Sequence, residues 1–153
     1  DEEETALDPA TKAVVTQDAD ANVVIQPMGS DALSVAIVKG EDDPVQGWAN
    51  DPWRPIPTAV YSFSGRGTTW MCYAVAPLKT GEQSAIESMA CLNNTEASIT
   101  ILVTWKNGRK DTIQFAHESV GERDFLNSRT DAEMIAVRES KDGRRSFSVG
   151  GSM

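Results

Sequence analysis

Trp48, Trp53 and Arg54 fall within one seven-residue stretch, and Gln46, Asn50 and Asp51 lie in it or beside it. A pyranose presents an apolar C–H face and a rim of hydroxyls. An indole can cover the first, while amide, carboxylate and guanidinium groups can bond the second. Where the sugar carries a carboxylate or sulfate, the planar fork of arginine suits it. Arg66 and Trp70 repeat these residue types a little further on, and Lys106 and Arg109 flank the dipeptide Asn107-Gly108. Together they form the expected carbohydrate-contacting set. The competing expectation is that Trp48 or Trp53 plugs the end of a sheet structure. Trp70 is in phase with Cys72 and Ala74, so its ring either fills the core or lies on a shallow sheet surface. Trp105 is in phase with Ile99, Ile101 and Val103, and Tyr61 with Ala59 and Phe63, which places both on core faces.

Other chemistries have thinner support. His117 is the single histidine, which removes zinc sites built on several histidines. The step His117-Glu118 alone does not make a metal site. Cys72 and Cys91 could form one bridge if their strands are neighbours; otherwise they serve as small buried hydrophobes. Asp18, Asp20 and Asn22 alternate like calcium ligands. An EF-hand counted from Asp18 would need Gly and Glu where Val23 and Gly29 stand. A structural calcium stays open, and no other cofactor is expected. Asn93-Asn94-Thr95 fits a glycosylation acceptor. No residue is assigned as catalytic. A small lyase using Tyr61 or Tyr73 with Arg66 or His117 is the enzymatic alternative.

The elements that must hold these residues are read from composition and turns. The chain has 153 residues and a net charge of -9. Residues 1–51 carry 12 of the 23 acids with only Lys12 and Lys39 as bases, whereas residues 52–153 balance at +1. No basic stripe exists to neutralise a run of phosphates, so nucleic acid is not an expected partner. No apolar run approaches the ~20 residues of a membrane helix. The acidic run Asp1-Glu2-Glu3-Glu4 and Pro9 make residues 1–11 an expected tail, and residues 150–153 an expected flexible end. Residues 12–149 are expected to form a single domain.

Within it, short β-branched runs alternate with turns. Strands are expected at Ala13–Thr16, Asn22–Gln26, Leu33–Val38, Ala59–Phe63, Thr69–Val75 and Ala85–Leu92. Ser98–Trp105 and Asp111–Ala116 flank Asn107-Gly108; Glu133–Glu139 and Arg145–Val149 flank Asp142-Gly143. Both dipeptides suit tight turns because both of their residues tolerate positive φ. The hairpin tips are basic, with Lys106, Arg109 and Lys110 at one and Arg138, Lys141, Arg144 and Arg145 at the other. Residues 121–131 are polar and read as a loop or a short helix. Pro44, Pro52, Pro55 and Pro57 make residues 41–57 a long structured loop rather than strand. The resulting fold class is an all-β, antiparallel, jelly-roll-like sandwich of roughly eight to ten strands.

Val35-Ala36-Ile37-Val38-Lys39-Gly40-Glu41-Asp42-Asp43-Pro44-Val45-Gln46-Gly47-Trp48, then Pro55-Ile56-Pro57-Thr58-Ala59-Val60-Tyr61, resembles the C-terminal β-sandwich of heparinase II/III-like polysaccharide lyases. Thr69-Trp70-Met71-Cys72-Tyr73-Ala74-Val75-Ala76-Pro77 resembles a later strand of that region, which ends in a proline. The resemblance spans about residues 33–117. It implies a relative of enzymes that cleave alginate or glycosaminoglycans by β-elimination, with the catalytic tyrosine and histidine supplied by an N-terminal helical toroid and the early part of the sandwich. This chain has no region rich enough in helix to be that toroid, and no catalytic motif of the family surrounds His117, Tyr61 or Tyr73. On that basis the chain is expected to be a non-catalytic module binding an acidic polysaccharide, beside a catalytic domain of the same parent protein. A bracing domain that binds no sugar is the alternative. The expected setting is secreted or periplasmic, in a bacterium.

Overall fold

A computed structural model of the chain describes residues 5–17, 20–50, 52–66, 69–117 and 121–150. The described residues are all-β, in keeping with a β-sandwich-like class, and contain no helix. The chain divides into two compact units, Asp1–Ser84 and Ala85–Met153.

The first unit contains β1 (Thr5–Leu7), β2 (Val14–Thr16), β3 (Ala21–Pro27), β4 (Leu33–Val38), β5 (Glu41–Asp42), β6 (Val45–Gln46), β7 (Trp48–Asn50), β8 (Trp53–Pro55), β9 (Thr58–Phe63) and β10 (Tyr73–Lys79). One antiparallel sheet runs in the order β1-β2-β3-β10; β4 and β9 form a ribbon, as do β5 with β6 and β7 with β8. Ala13, Val24 and Leu78 make its buried apolar centre, with Val15 and Ala76 packed against them. Thr5–Leu7 lies inside the segment expected as a tail, and it pairs with Val14–Thr16 as a strand. The turn between them is pinned from inside. Lys12 adopts a φ of 59°, and its Nζ donates to the carbonyls of Ser30 and Leu33. A buried-side ammonium bonded to two carbonyls loses little of what water would give it.

Two other strand expectations shift. Thr69–Val75 becomes Tyr73–Lys79, and the strand runs through Pro77 instead of ending there. β10 is the last strand of its sheet, so Pro77 can face outward without removing a ladder hydrogen bond. The stretch 41–57 is two short ribbons rather than loop. Asp43 and Pro44 make the turn of the first, Pro52 lies in the turn of the second, and Pro55 ends β8. The prolines sit at turns and strand ends, where no ladder donor is needed.

The second unit contains β11 (Ile86–Asn94), β12 (Ser98–Trp105), β13 (Lys110–Ala116), β14 (Arg123–Phe125), β15 (Ser128–Thr130), β16 (Met134–Glu139) and β17 (Arg145–Gly150). Five strands form an antiparallel sheet in the order β11-β12-β13-β16-β17. The polar segment 121–131 is a small hairpin, β14–β15, not a loop or helix. Its Phe125 buries with Ile135 and Val137 of the sheet. Polar anchors hold it there: Gln114 donates to Thr100 Oγ1 at 3.2 Å and to the Asp124 carbonyl at 2.9 Å, and accepts from Arg123 Nε at 3.2 Å. Residues 151–153, part of the expected flexible end, lie outside the described residues, whereas Gly150 closes β17.

Both predicted hairpins form, but by a different turn. Gly108 N–H donates to the Trp105 carbonyl and Trp105 N–H to the Arg109 carbonyl; Gly143 and Ser140 repeat this with Arg144. The loops therefore have three residues. Only the glycines take positive φ, 83° at Gly108 and 80° at Gly143, while Asn107 and Asp142 do not. This is a type I turn followed by a left-handed glycine.

Asp111 organises the tip end of this sheet. It is only 7% exposed. Its carboxylate accepts from Arg138 Nε at 2.9 Å, Arg138 Nη2 at 3.1 Å and Trp105 Nε1 at 2.9 Å. Arg109 lies 3.7 Å over the Trp105 ring and 3.5 Å from the same carboxylate. The hydrogen bond to Asp111 holds Arg138 still more firmly in its charged form. Trp105 thus sits on the expected face, half-buried, with its polar edge and its π-face both engaged.

Asp111→Ala should lower unfolding free energy by about 2–3 kcal/mol, because it removes a buried carboxylate that serves a half-buried indole N–H and two guanidinium partners. Arg109→Ala should cost less, about 0.5–1 kcal/mol, the worth of a partly exposed cation–π contact. Urea unfolding of the two variants tests that ranking.

Candidate functional site

The β7–β8 ribbon rests on a crossing of two glycines. Gly40 and Gly47 have φ of 65° and 74°, a region that disfavours side chains. The Gly47 carbonyl accepts from Gly40 N–H at 2.9 Å and Ile56 N–H at 2.8 Å. A Cβ on Gly47 would lie 2.8 Å from Gly40 N and 2.8 Å from Lys39 Cα, both backbone atoms that cannot step aside. A Cβ on Gly40 would lie 2.9 Å from Pro55 Cβ and 3.4 Å from Trp48 Cζ2. The missing side chains let the chain fold back on itself and let Trp48 lie against the crossing.

In the ribbon Trp48 pairs with Pro55, Ala49 with Arg54 and Asn50 with Trp53. Period two then places Trp48, Asn50, Trp53 and Pro55 on one face, and Ala49 and Arg54 on the other. Trp48 and Trp53 are diagonal neighbours across the strands and stack with centroids 5.1 Å apart and planes 9° from parallel. Trp48 is half-buried, and its Nε1 donates to the Glu41 carbonyl at 3.0 Å. Trp53 is 59% exposed. One face of Trp53 is covered by Trp48, and the ring's outer side is open. Gln46 Nε2 donates to Glu41 Oε2, so one of its amide donors is already engaged.

The sequence-predicted residues separate accordingly. Trp48, Trp53 and Gln46 belong to one local assembly. Arg54 is exposed but on the ribbon's opposite face, and Asp51 lies outside the described residues. Arg66 and Trp70 are on the β9–β10 connection, both exposed, with Trp70 at 39%. Lys106 and Arg109 are in the second unit, where Arg109 is spent on Trp105 and Asp111. The two basic tips do meet at one end of that sheet, since Lys110 pairs with Glu139 and a Cβ on Gly108 would lie 3.4 Å from Lys141 Cγ. Arg144 and Arg145 are paired with Asp142 and Glu139. Lys106, Lys110 and Lys141 are exposed and, among the described residues, make no ion pair. Sequence reasoning did not single out the glycine crossing; two glycines seven residues apart around Pro44 are its only trace.

Other candidates resolve locally. Cys72 is half-buried, Cys91 is exposed, and no disulfide joins them. The buried setting expected for an unbridged pair does not hold for Cys91, which lies on the edge strand β11. His117 Nε2 is 3.3 Å from Asn94 Oδ1. Asp18 and Glu118 lie outside the described residues, within which no group of three or more His, Cys, Asp and Glu could hold a metal. Tyr61 and Tyr73 meet edge to face at 5.1 Å. Tyr61 Oη donates toward the Lys12 and Ile25 carbonyls at 3.2 and 3.4 Å. Burial raises both phenols above their usual range, with Tyr73 adding to the effect at Tyr61 and Cys72 at Tyr73.

These are the chain's two tyrosines, so phenolate absorbance reads them alone. The folded protein should titrate above the ordinary value of about 10, and the denatured protein at about 10. Because the folded values are the higher, this contribution to stability is intact below about pH 10 and is lost as pH rises through the folded values. For the glycine crossing, Gly47→Ala should cost about 2 kcal/mol or more. It should also abolish the exciton band of the stacked indoles in circular dichroism. Comparison with known protein families, with curated proteins and with solved structures gives no match to this chain.

Proposed function

We propose that the chain is a non-catalytic carbohydrate-binding domain for an acidic polysaccharide, with Trp53 as the ring on which a pyranose lies. The observation that carries this reading is the parallel Trp48–Trp53 pair with its outer ring 59% exposed. Stacking fixes the Trp53 ring before any ligand arrives. Immobilising a mobile side chain on binding would otherwise cost about 0.5–1.5 kcal/mol. Asn50, exposed on the same ribbon face, supplies an amide for the hydroxyl rim. Within the second unit, the three unspent lysines Lys106, Lys110 and Lys141 offer an anionic polymer an electrostatic contact of their own, separate from the Trp53 ring. The alginate or glycosaminoglycan class, the kinship with heparinase II/III-like lyases, the secreted or periplasmic setting and a catalytic domain in the same parent protein rest on the sequence resemblance.

Affinity electrophoresis in alginate, heparin and chondroitin sulfate tests the reading. The wild type should be retarded by at least one of them, and Trp53→Ala should weaken binding by about 10-fold or more, the cost of losing a central aromatic contact. A Lys106→Glu, Lys110→Glu, Lys141→Glu variant should bind less tightly at low salt and respond less to added salt. A wild type that ignores all three polymers, or a Trp53→Ala variant that binds equally well, leaves the bracing role instead.

A further inference from the structure

The five-stranded sheet of the second unit has two unlike edges. At one edge, β11 breaks register with β12 twice, between Ile86 and Ser88 and between Cys91 and Asn93. Such bulges twist an edge away from a would-be partner strand. At the other edge, β17 pairs with β16 over six unbroken positions, from Met134↔Gly150 to Glu139↔Arg145. Among the described residues no strand takes its outer side. β17 has no proline, no lysine and no bulge. Two of its side chains, alternating with serines, are apolar and open to solvent: Phe147 at 66% and Val149 at 68% exposure. They lie opposite Val137 and Ile135, two residues that Phe125 covers, so the strip extends a core face past its cover.

We propose that β17 pairs with β17 of a second copy of this chain, antiparallel about a two-fold axis at Phe147. The pleat requires the axis to pass through a residue rather than between two, and among those positions Phe147 places the strand's one aromatic side chain, 66% exposed, against its own counterpart. An axis on Phe147 sets Phe147 opposite its own counterpart, Ser146 opposite Ser148 and Arg145 opposite Val149. The apolar strip then continues across both sheets on one face. An axis between Phe147 and Ser148 would throw the two strips onto opposite faces. The Phe147 register also brings no like charges face to face. Residues 85–153 hold ten acids and nine bases, so the unit that would associate is close to neutral, and the acidity of the chain lies in the first unit. One strand edge with two apolar side chains makes a small contact, in the weak class below about 1,200 Å². The pairing is therefore concentration-dependent.

Sedimentation equilibrium over a wide concentration range tests this. The wild-type mass should climb from 16.6 kDa toward twice that value. Phe147→Lys and Phe147→Glu, each at an exposed site that leaves the fold intact, should stay at monomer mass when alone. Mixed in equal amounts, the two variants should regain the dimer, because opposite charges then face each other across the axis. A wild type that stays monomeric at every concentration overturns the proposal. So does a single variant that still dimerises, or a mixture that does not.

Discussion

The first unit's exposed aromatic surface depends on one close approach of backbone to backbone. Gly47 lies against Gly40 and Lys39 so closely that even a methyl group has no room. Its carbonyl serves two donors, one from the chain entering the ribbons and one from the chain leaving them. Everything the site offers is built outward from that crossing. Trp48 lies over Gly40, Trp53 stacks on Trp48, and the outer face of Trp53 meets water. Short ribbons of two or three residues per strand are marginal alone. The crossing and the Trp48 bond to the Glu41 carbonyl supply what the ladders lack.

The second unit solves a different problem. Its tip end concentrates arginines, which would repel one another if left unpaired. Asp111 gathers two of them and an indole N–H around one buried carboxylate, while Asp142 and Glu139 each take one more. A carboxylate accepting several charge-assisted bonds tolerates burial that a lone one would not. The lysines stay outside this network, since their compact ammonium groups gain less from planar, bidentate pairing. Positive charge open to solvent is thereby separated from positive charge that holds the turn together.

Much of the strand pattern was legible. Leu33–Val38 and Ser98–Trp105 are rich in β-branched side chains, and they form strands over those residues. Turn glycines marked the two long hairpins. Legibility failed where a local rule has a tertiary exception. Prolines argued against strand in residues 41–57, yet they sit at turns and strand ends that need no donor. Pro77 argued for a strand end, yet it lies within β10, an edge strand, where a proline is tolerated. The acids before Thr5 argued for a tail, yet Thr5–Leu7 has Val14–Thr16 to pair with. Residues 121–131 are polar, and only the buried Gln114 and the Ile135–Val137 surface make a hairpin of them.

The residue types at the site, their spacing and the all-β class were determined by the sequence alone, because periodicity and turn chemistry act over a few neighbours. Which of those residues share a face was decided only in three dimensions. Trp53 and Arg54 are adjacent in the chain, so a single ribbon must send them to opposite sides, and only its register says which side carries Trp48. Lys106 and Lys141 are far apart in the chain, and the pairing of β13 with β16 brings their turns together. A strand's partner is chosen by long-range packing, and with it the company each side chain keeps.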